Sequence, residues 1–527
     1  MQMRLLVSDP LSEEGLKILT ASGIPVDVKP GLSEDELCGV IGEYDGLIIR
    51  SGTTVTKKIM DAGKKLKVVG RAGVGVDNVD VPYATQKGIL VMNTPSANII
   101  SAAEHSLAMI MTLARNIPWA HVSVHKGEWK RSKFTGIELY GKTLGIIGVG
   151  RVGGEIAKRA KSFSMTMIGY DPYLPKEVAD DLGVRLTTLD DVLKNSDIMT
   201  IHTPLLPETK NMISMPQFRM MKKNALLVNV ARGGIVNEDD LYEALKNKVI
   251  AGAAFDVYVD EPLKEGCRLL ELDNLVMTPH LGASTVEAQE KVSVDIAENV
   301  IMYLRDNIIA NAINAPRGQL DPMIVPYLPL AERLGLCVHQ LNGMRPVDKI
   351  DVTCCGEITK KNTKMITLSV LIGLLKHVGD GINMINAESF AKSKNIKVTE
   401  SKNEDSPVYS NTVTVSITSG KDVRTVRGTV FAQTPRLIGM DGYCFEMPLD
   451  TDMLFAKYTD KPGVIGAVGK ILGENNINIG QMTVGRETKK GTAIMLMGVD
   501  QEVPAAIIKK ISDATGFDET KYIDLVE

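Results

Sequence analysis

The sequence predicts an α/β protein over its first part, followed by two α+β units, and three observations carry that prediction. Short apolar runs alternate with helical patterns up to about residue 315, a proline-rich stretch then breaks the rhythm, and from Met453 the order becomes strand, helix, strand, strand, helix, strand. A chain of 527 residues is too long for one ordinary core, so roughly three to four domains are expected.

The first series of strand-like runs is Leu5 to Val7, Val26 to Val28, Leu47 to Ile49, Val68 to Val69 and Ile89 to Met92. A second series follows: Leu144 to Ile147, Met167 to Ile168, Ile198 to Ile201, Leu226 to Val230, Ala251 to Phe255 and Leu275 to Met277. Near-continuous apolar runs separated by helical patterns are the mark of parallel sheets covered on both faces. Ala315 to Pro329, with Pro316, Pro322, Pro326 and Pro329, reads as a linker. Beyond it, strand-like Ile350 to Cys354, helical Thr363 to Lys376, a polar loop Ser401 to Ser410 and the alternating Val413, Val415 and Ile417 predict a third, α+β domain. The last unit turns at Asp460-Lys461-Pro462-Gly463 and again at Lys489-Lys490-Gly491, and its βαββαβ order is that of the ferredoxin-like motif.

Composition excludes several classes of function. No apolar run approaches the ~18 residues of a membrane span, and the N-terminal residues lack the shape of a signal peptide, which predicts a cytoplasmic protein. Sixty basic and 64 acidic residues, without long like-charged blocks, favour neither nucleic acid nor a membrane surface as partner. Six cysteines without a Cys-x-x-Cys pair argue against a disulfide framework and a zinc site, so no metal is expected.

The sharpest local signal is Gly148-Val149-Gly150-Arg151-Val152-Gly153, placed directly after a strand and before an amphipathic helix. Gly148 permits a tight turn, Gly150 lets backbone approach a pyrophosphate at the helix N-terminus, and Gly153 lets that helix pack on the sheet. Asp171 ends the next strand at the spacing expected of a carboxylate that binds two ribose hydroxyls, which selects NAD over NADP. Read alone, Asp171 could instead cap the turn before Pro172.

Arg232, Glu261 and His280 each end a strand-like segment, and strand ends in a doubly wound sheet converge on one crevice. Oxidation of a 2-hydroxy acid needs a guanidinium to grip the carboxylate, a base for the hydroxyl proton and an acid to hold that base. Arginine, histidine and glutamate fit those roles in that order.

The glycine motif, Ala231-Arg232-Gly233-Gly234, Asp256 to Pro262 and Pro279-His280-Leu281-Gly282, taken in order, resemble the signatures of the D-2-hydroxyacid dehydrogenase family. The resemblance implies a Rossmann-type NAD-binding domain (99–280) inserted into a flavodoxin-like substrate domain (1–98 and 281–315). Helical patterns at Ala102 to Leu113 and Glu287 to Arg305 would serve as the two crossovers. It further implies cofactor contacts at Arg151, Val152, Thr203, Ala231, Arg232, Asp256, His280 and Gly282.

Within this family the chain is most similar to phosphoglycerate dehydrogenases, through Arg50-Ser51-Gly52-Thr53, Gly70 to Asn78 and Asn93 to Asn98. That similarity implies 3-phosphoglycerate as substrate. Arg50, Ser51 and Arg71 would face its phosphate, and Gly73, Val74, Gly75 and Asn98 its carboxylate. It also implies an intervening domain (316–450), an ACT domain (451–527) that senses L-serine through Tyr458, Asp460 and Asn478, and a homo-oligomer in which Arg131, beside Trp129, reaches a neighbour's site. Two alternatives stay open: another reductase of the family, which would lack the ACT tail, and a non-catalytic protein that senses the dinucleotide.

Overall fold

The computed structural model describes residues 3–316, 321–379, 381–406, 408–486 and 491–525. Its first five strands are β1 (Leu5–Val7), β2 (Val26–Val28), β3 (Gly46–Ile49), β4 (Val68–Arg71) and β5 (Leu90–Met92). They pair in parallel in the order β2-β1-β3-β4-β5, the flavodoxin-like arrangement. Side chains alternate across a strand, so Leu5 and Val7 point into one core and Leu6 into another. The first of these cores is completed by Val292, Ile296 and Val300 from the long helix Val286–Asp306. Gly70 allows that approach, since a Cβ there would stand 2.7 Å from Val300 Cγ2.

The chain leaves this unit after β5 and returns to it, where Ile313 N–H donates to the Val91 carbonyl at 2.9 Å. Between lie β6 (Thr143–Ile147), β7 (Thr166–Tyr170), β8 (Val184–Leu186), β9 (Ile198–Ile201), β10 (Leu226–Asn229), β11 (Gly252–Phe255) and β12 (Leu275–Met277). Their order, β8-β7-β6-β9-β10-β11-β12, reverses direction between β6 and β9, as in a Rossmann sheet. The sequence reading has six of these strands. It lacks β8, an edge strand of three residues with only Val184 buried. Helices Ile99–Ala114 and Val286–Asp306 are the two crossovers.

The third sheet runs β14-β13-β15-β16-β17-β18, from β13 (Lys349–Gly356), β14 (Lys397–Asn403), β15 (Asn411–Ser419), β16 (Asp422–Phe431), β17 (Thr434–Met440) and β18 (Tyr443–Pro448). Two corrections arise here. Ser401 to Asn403, expected in a polar loop, end the exposed edge strand β14, whose ladder partner is β13. The expected linker also ends early: helix Tyr327–Leu341 starts inside it, with Pro326 at its N-cap and Pro329 in its first turn, where a missing N–H costs nothing. Residues 317–320 of that linker lie outside the described residues. This helix crosses helix Lys364–Leu375 closely, because Gly335 and Gly373 have no side chain to hold the backbones apart.

The last unit has β19 (Asp452–Thr459), β20 (Ile479–Arg486), β21 (Thr492–Val499) and β22 (Glu519–Ile523) in the antiparallel order β20-β21-β19-β22. It is ferredoxin-like; Lys489 and Lys490 of its expected second turn lie outside the described residues. One face of this sheet, with Leu454, Ala456 and Tyr458, packs with helices Val464–Glu474 and Ala505–Thr515. The other, with Met453, Phe455, Ile494, Leu496 and Ile523, joins the third domain's core. Arg424 seals the junction, donating to Asp441 at 2.6 Å and to both oxygens of Glu519 at 2.5 and 2.7 Å. Among the described residues no helix is long and apolar enough to cross a membrane, and no three His, Cys, Asp or Glu side chains cluster as metal ligands.

A shared core predicts shared unfolding. Phe455 is 1% exposed, so Phe455→Ala should cost about 3 to 5 kcal/mol and, in full-chain calorimetry, lower one transition belonging to both C-terminal domains. A shift confined to the last 75 or so residues, read by hydrogen exchange, would show two independent cores.

Candidate active site

Arg232, Glu261 and His280 follow β10, β11 and β12, three neighbours in the Rossmann sheet. Parallel strands release their chains at one edge, so the three loops meet there. Gly233 makes the meeting possible: a Cβ at that position would lie 1.9 Å from the Tyr258 carbonyl oxygen. Asn229, 1% exposed, accepts from Ala231 N–H at 3.1 Å and donates to the Arg232 carbonyl at 3.0 Å. Glu238 accepts from Val259 N–H at 2.6 Å, and burial pushes its carboxyl up.

His280 Nδ1 lies 2.6 Å from Glu261 Oε2, and Tyr258 N–H donates to Glu261 Oε1 at 2.9 Å. Burial works to raise the Glu261 carboxyl, but the bonds from His280 and Tyr258 outweigh it and hold the group below the ordinary carboxylate range. An ionised partner places the proton on Nδ1, which leaves Nε2 as the proton acceptor.

Asp256, expected among the cofactor contacts, is fully buried. Its carboxylate accepts from Leu281 N–H at 2.7 Å, Gly282 N–H at 2.8 Å and the Thr278 hydroxyl at 2.6 Å, while its carbonyl accepts from His280 N–H at 2.9 Å. His280 itself has φ +55, a left-handed backbone that this set of bonds holds in place.

Facing these loops is the edge of the substrate unit. The Arg232 guanidinium reaches it, with Nε 3.3 Å from Asp77 Oδ2 and Nη2 2.3 Å from where a Gly75 Cβ would stand. Arg71 folds over Gly73, whose φ of +151 favours glycine. Arg71 Nε is buried without a hydrogen-bond partner. Burial first, then the nearby Arg232, pulls its pKa down to about 10 against the opposing pull of Asp77.

Two residues to which the sequence assigns no role shape the Arg50–Thr53 loop. Asp9 accepts from Arg50 N–H at 2.6 Å and Thr53 N–H at 3.0 Å, and Asn78 donates to the carbonyls of Arg50 and Thr53 at 2.7 and 2.6 Å. Ser51 stays exposed. A third, Asn93, donates to the Val74 carbonyl at 2.6 Å. Asn98 stands at the N-cap of helix Ile99–Ala114, and Arg131 is exposed on a short helical turn.

The glycine loop fits a dinucleotide. Gly148 has φ +89 and lies so close to the His202 carbonyl that a Cβ would stand 2.8 Å away. At Gly153 a Cβ would meet the Gly148 oxygen at 2.1 Å, whereas around Gly150, the N-cap of helix Arg151–Ala160, nothing lies within 4 Å. Backbone is thus free to approach a phosphate where the helix starts. Arg151 is exposed at that start, Val152 packs on the core, and Thr203, after β9, has a buried hydroxyl without a partner. Asp171 accepts from Val149 N–H at 3.0 Å, Tyr173 N–H at 3.0 Å and Leu174 N–H at 3.2 Å. Asp171 therefore caps this turn, with three of roughly four lone-pair positions used, which leaves about one for the expected ribose contact.

In the last domain the three expected effector residues do not converge within one chain. Tyr458 is 2% exposed and packs on Phe517 with ring centroids 5.1 Å apart. Asp460 pairs with Arg486 at 3.1 Å, at the end of β20, while Asn478 precedes that strand and donates to Asp500 at 2.6 Å. The length of β20 sets Asp460 and Asn478 roughly 25 Å apart.

Comparison with known proteins gives this site its class. Residues 107–282 match the D-isomer specific 2-hydroxyacid dehydrogenase NAD binding domain. D-lactate dehydrogenase from Aquifex aeolicus, solved with NAD and lactic acid, is 27% identical with a TM-score of 0.54, over 59% of this chain and 99% of that one. The molecule is an oxidoreductase of the NAD-dependent 2-hydroxyacid dehydrogenase class. Residues 323–441 match the D-3-phosphoglycerate dehydrogenase intervening domain and 453–516 the ACT domain. D-3-phosphoglycerate dehydrogenases of Methanocaldococcus jannaschii and Archaeoglobus fulgidus are 43% and 41% identical, each over 99% of this chain and 100% of the relative. The chain belongs to the D-3-phosphoglycerate dehydrogenase family.

The ribose contact expected of Asp171 is testable. Asp171→Ala should weaken NADH binding by roughly 10- to 100-fold, the worth of a charge-assisted hydrogen bond, and weaken NADPH less. Fluorescence titration with both nucleotides reads the ratio; an unchanged ratio would place the ribose contact elsewhere.

Proposed function

We propose that the chain oxidises D-3-phosphoglycerate to 3-phosphohydroxypyruvate with NAD, the first step of phosphorylated L-serine biosynthesis. One observation carries the choice of substrate: Arg71 is buried with an unpartnered Nε beside Arg232 and near Arg50, three guanidinium groups that Asp77 and Asp9 only partly balance and that suit an anion. A substrate with a carboxylate at one end and a phosphate at the other suits it. Lactate, with a single charge, leaves part of the cluster unpaired.

Bound NAD supplies the hydride acceptor. The residues of the chain do the rest. Arg232 grips the carboxylate and the hydroxyl oxygen, and its contact with Asp77 and Gly75 closes the two units around the acid. His280 Nε2 takes the hydroxyl proton, and Glu261 stabilises the resulting imidazolium through Nδ1. Arg50 and Ser51, on the loop held by Asp9 and Asn78, take the phosphate. Gly73, Val74, Gly75 and Asn98 offer backbone and amide groups to the carboxylate. The nucleotide is held by the Gly148–Gly153 loop with Arg151 and Val152, by Asp171, by the Thr203 hydroxyl, and by the Ala231 and Gly282 backbones.

The working unit is a homo-oligomer. Helices Ile99–Ala114 and Ile117–His125 expose Met111, Ile117, Val122 and Val124, and Trp129 beyond them is 80% exposed, an apolar face that a second copy would cover and from which Arg131 would reach the neighbour. A second copy also resolves the separation in the ACT domain, because two sheets placed edge to edge across a two-fold axis bring Asp460 of one to Asn478 of the other. L-serine held there, with Asp460 on its ammonium and Asn478 on its carboxylate, lowers activity, and Tyr458 supports the site from the core. A cytoplasmic location goes with this reading, since all six cysteines are unpaired.

His280→Ala is expected to lower turnover by roughly 10²- to 10⁴-fold while NADH affinity stays within a few-fold, measured with 3-phosphohydroxypyruvate, glyoxylate and 2-oxoglutarate side by side. Near-normal turnover would remove His280 from its role, and a preference for glyoxylate would remove the phosphorylated substrate. Calorimetric titration of L-serine checks the effector: binding to the wild type that Asp460→Ala abolishes, with basal turnover retained, is the expected outcome. No heat and no inhibition at millimolar serine would leave the domain a scaffold.

A further inference from the structure

His105 lies on the crossover helix Ile99–Ala114, seven residues past Asn98, and no role in the reaction has yet been given to it. Its Nε2 is 3.2 Å from Asp256 Oδ1 and 3.3 Å from Thr278 Oγ1. Thr278 Oγ1 is in turn 2.6 Å from the same carboxylate oxygen.

These three distances fix the protons. A hydroxyl oxygen 2.6 Å from a carboxylate must donate to it, since two bare oxygens would repel, so the Thr278 proton is spent on Asp256. His105 Nε2 cannot then accept from Thr278 or from an ionised carboxylate. Nε2 must carry a hydrogen shared between the two oxygens.

We infer that His105 is a positioning residue for the His280 loop, acting as the fourth donor to Asp256; the inference rests on the reading of His280 as the base. The other three donors are Leu281 N–H, Gly282 N–H and the Thr278 hydroxyl, and the Asp256 carbonyl takes His280 N–H as well. A fully buried carboxylate keeps its charge only when donors surround it; Leu281 N–H, the Thr278 hydroxyl and His105 converge on Oδ1, and Gly282 N–H serves Oδ2. Donors from the backbone and from Thr278 travel with the loop. His105 is the donor that belongs to a different element, so it ties the loop to the helix whose N-terminus is Asn98. The helix thereby sets the distance between the amide expected on the substrate carboxylate and the imidazole expected on its hydroxyl.

Two measurements test this. In apoprotein labelled with ¹⁵N-histidine, the His105 ring, assigned by its loss in His105→Gln, is expected as the Nε2–H tautomer; an Nδ1–H tautomer overturns the inference without touching the role of His280. In turnover with NADH and whichever 2-oxo acid the wild type reduces, His105→Leu should lower kcat by roughly 10- to 100-fold with KM for the oxo acid within about three-fold. His105→Gln, whose Nε2 offers a donor at similar reach, should recover most of the loss. A His105→Gln as impaired as His105→Leu, or a His105→Leu close to wild type, overturns the inference. Should His105→Leu fail to fold, Thr278→Val carries the same test, since it removes another donor to Asp256: it should lower kcat comparably, and a Thr278→Val close to wild type rejects the shared network. Failure of the reading beneath it shows separately, as a wild type that reduces no 2-oxo acid or as an active His280→Ala.

Discussion

The buried carboxylate of Asp256 is the constraint on which the catalytic half depends. It ends β11, yet its partners lie on the loop after β12, so one side chain decides how two strand ends are joined. A carboxylate without solvent is unstable unless donors surround it, and the donors available are mainly the N–H groups of the loop that carries His280. The loop is therefore drawn into a left-handed turn at His280, and that turn brings the imidazole to Glu261. Glu261 reaches the same place because Tyr258 N–H and the close approach of Gly233 fix its own loop. Proton transfer chemistry rests on backbone accounting.

The opposite wall of the cleft follows a different rule: its positive charge is only partly balanced, by Asp77 and Asp9. Arg71 Nε is buried without a partner, and burial first, then Arg232, pulls the pKa of the group down to about 10. The Arg50–Thr53 loop beside it is held by Asp9 on its N–H groups and by Asn78 on its carbonyls. One wall spends its polar groups on itself, whereas the other keeps a guanidinium N–H unpaired.

Most of the architecture was legible because its signals are local. Runs of two to five mostly apolar residues mark the strands of both parallel sheets except β8, whose single buried residue gives no pattern. Helix Tyr327–Leu341 was obscured by the prolines at its start, which read as a linker although prolines suit a first turn. The glycine motif and the three strand-end residues were visible because each sits beside the strand that positions it. Asp9, Asn78, Asn93, Asn229 and His105 were not, for their meaning lies in partners often far off in sequence: His105 and Asp256 are a domain's length apart. Tyr458, which the resemblance to serine-sensing ACT domains puts at the effector site, is buried by strand parity. Leu454, Ala456 and Tyr458 share the helix-covered face of β19, and Met453 and Phe455 the other.

That same parity sets how the C-terminal domains meet. Both faces of the last sheet are covered, one by its own helices and one by the third domain, so the two domains share a core. The pair touches the catalytic half at a small knob: Asn383 donates to the Gly88 carbonyl at 2.9 Å, and Ile385, 7% exposed, is buried in the substrate unit's core beside the helix Val286–Asp306. It therefore bears on the unit that carries Arg50 and Arg71, whereas His280 and Glu261 sit on the other side of the cleft. The contacts of the C-terminal domains with the catalytic half thus fall on the unit of Arg50 and Arg71, and the crossover of the chain separates them from the loops of His280 and Glu261.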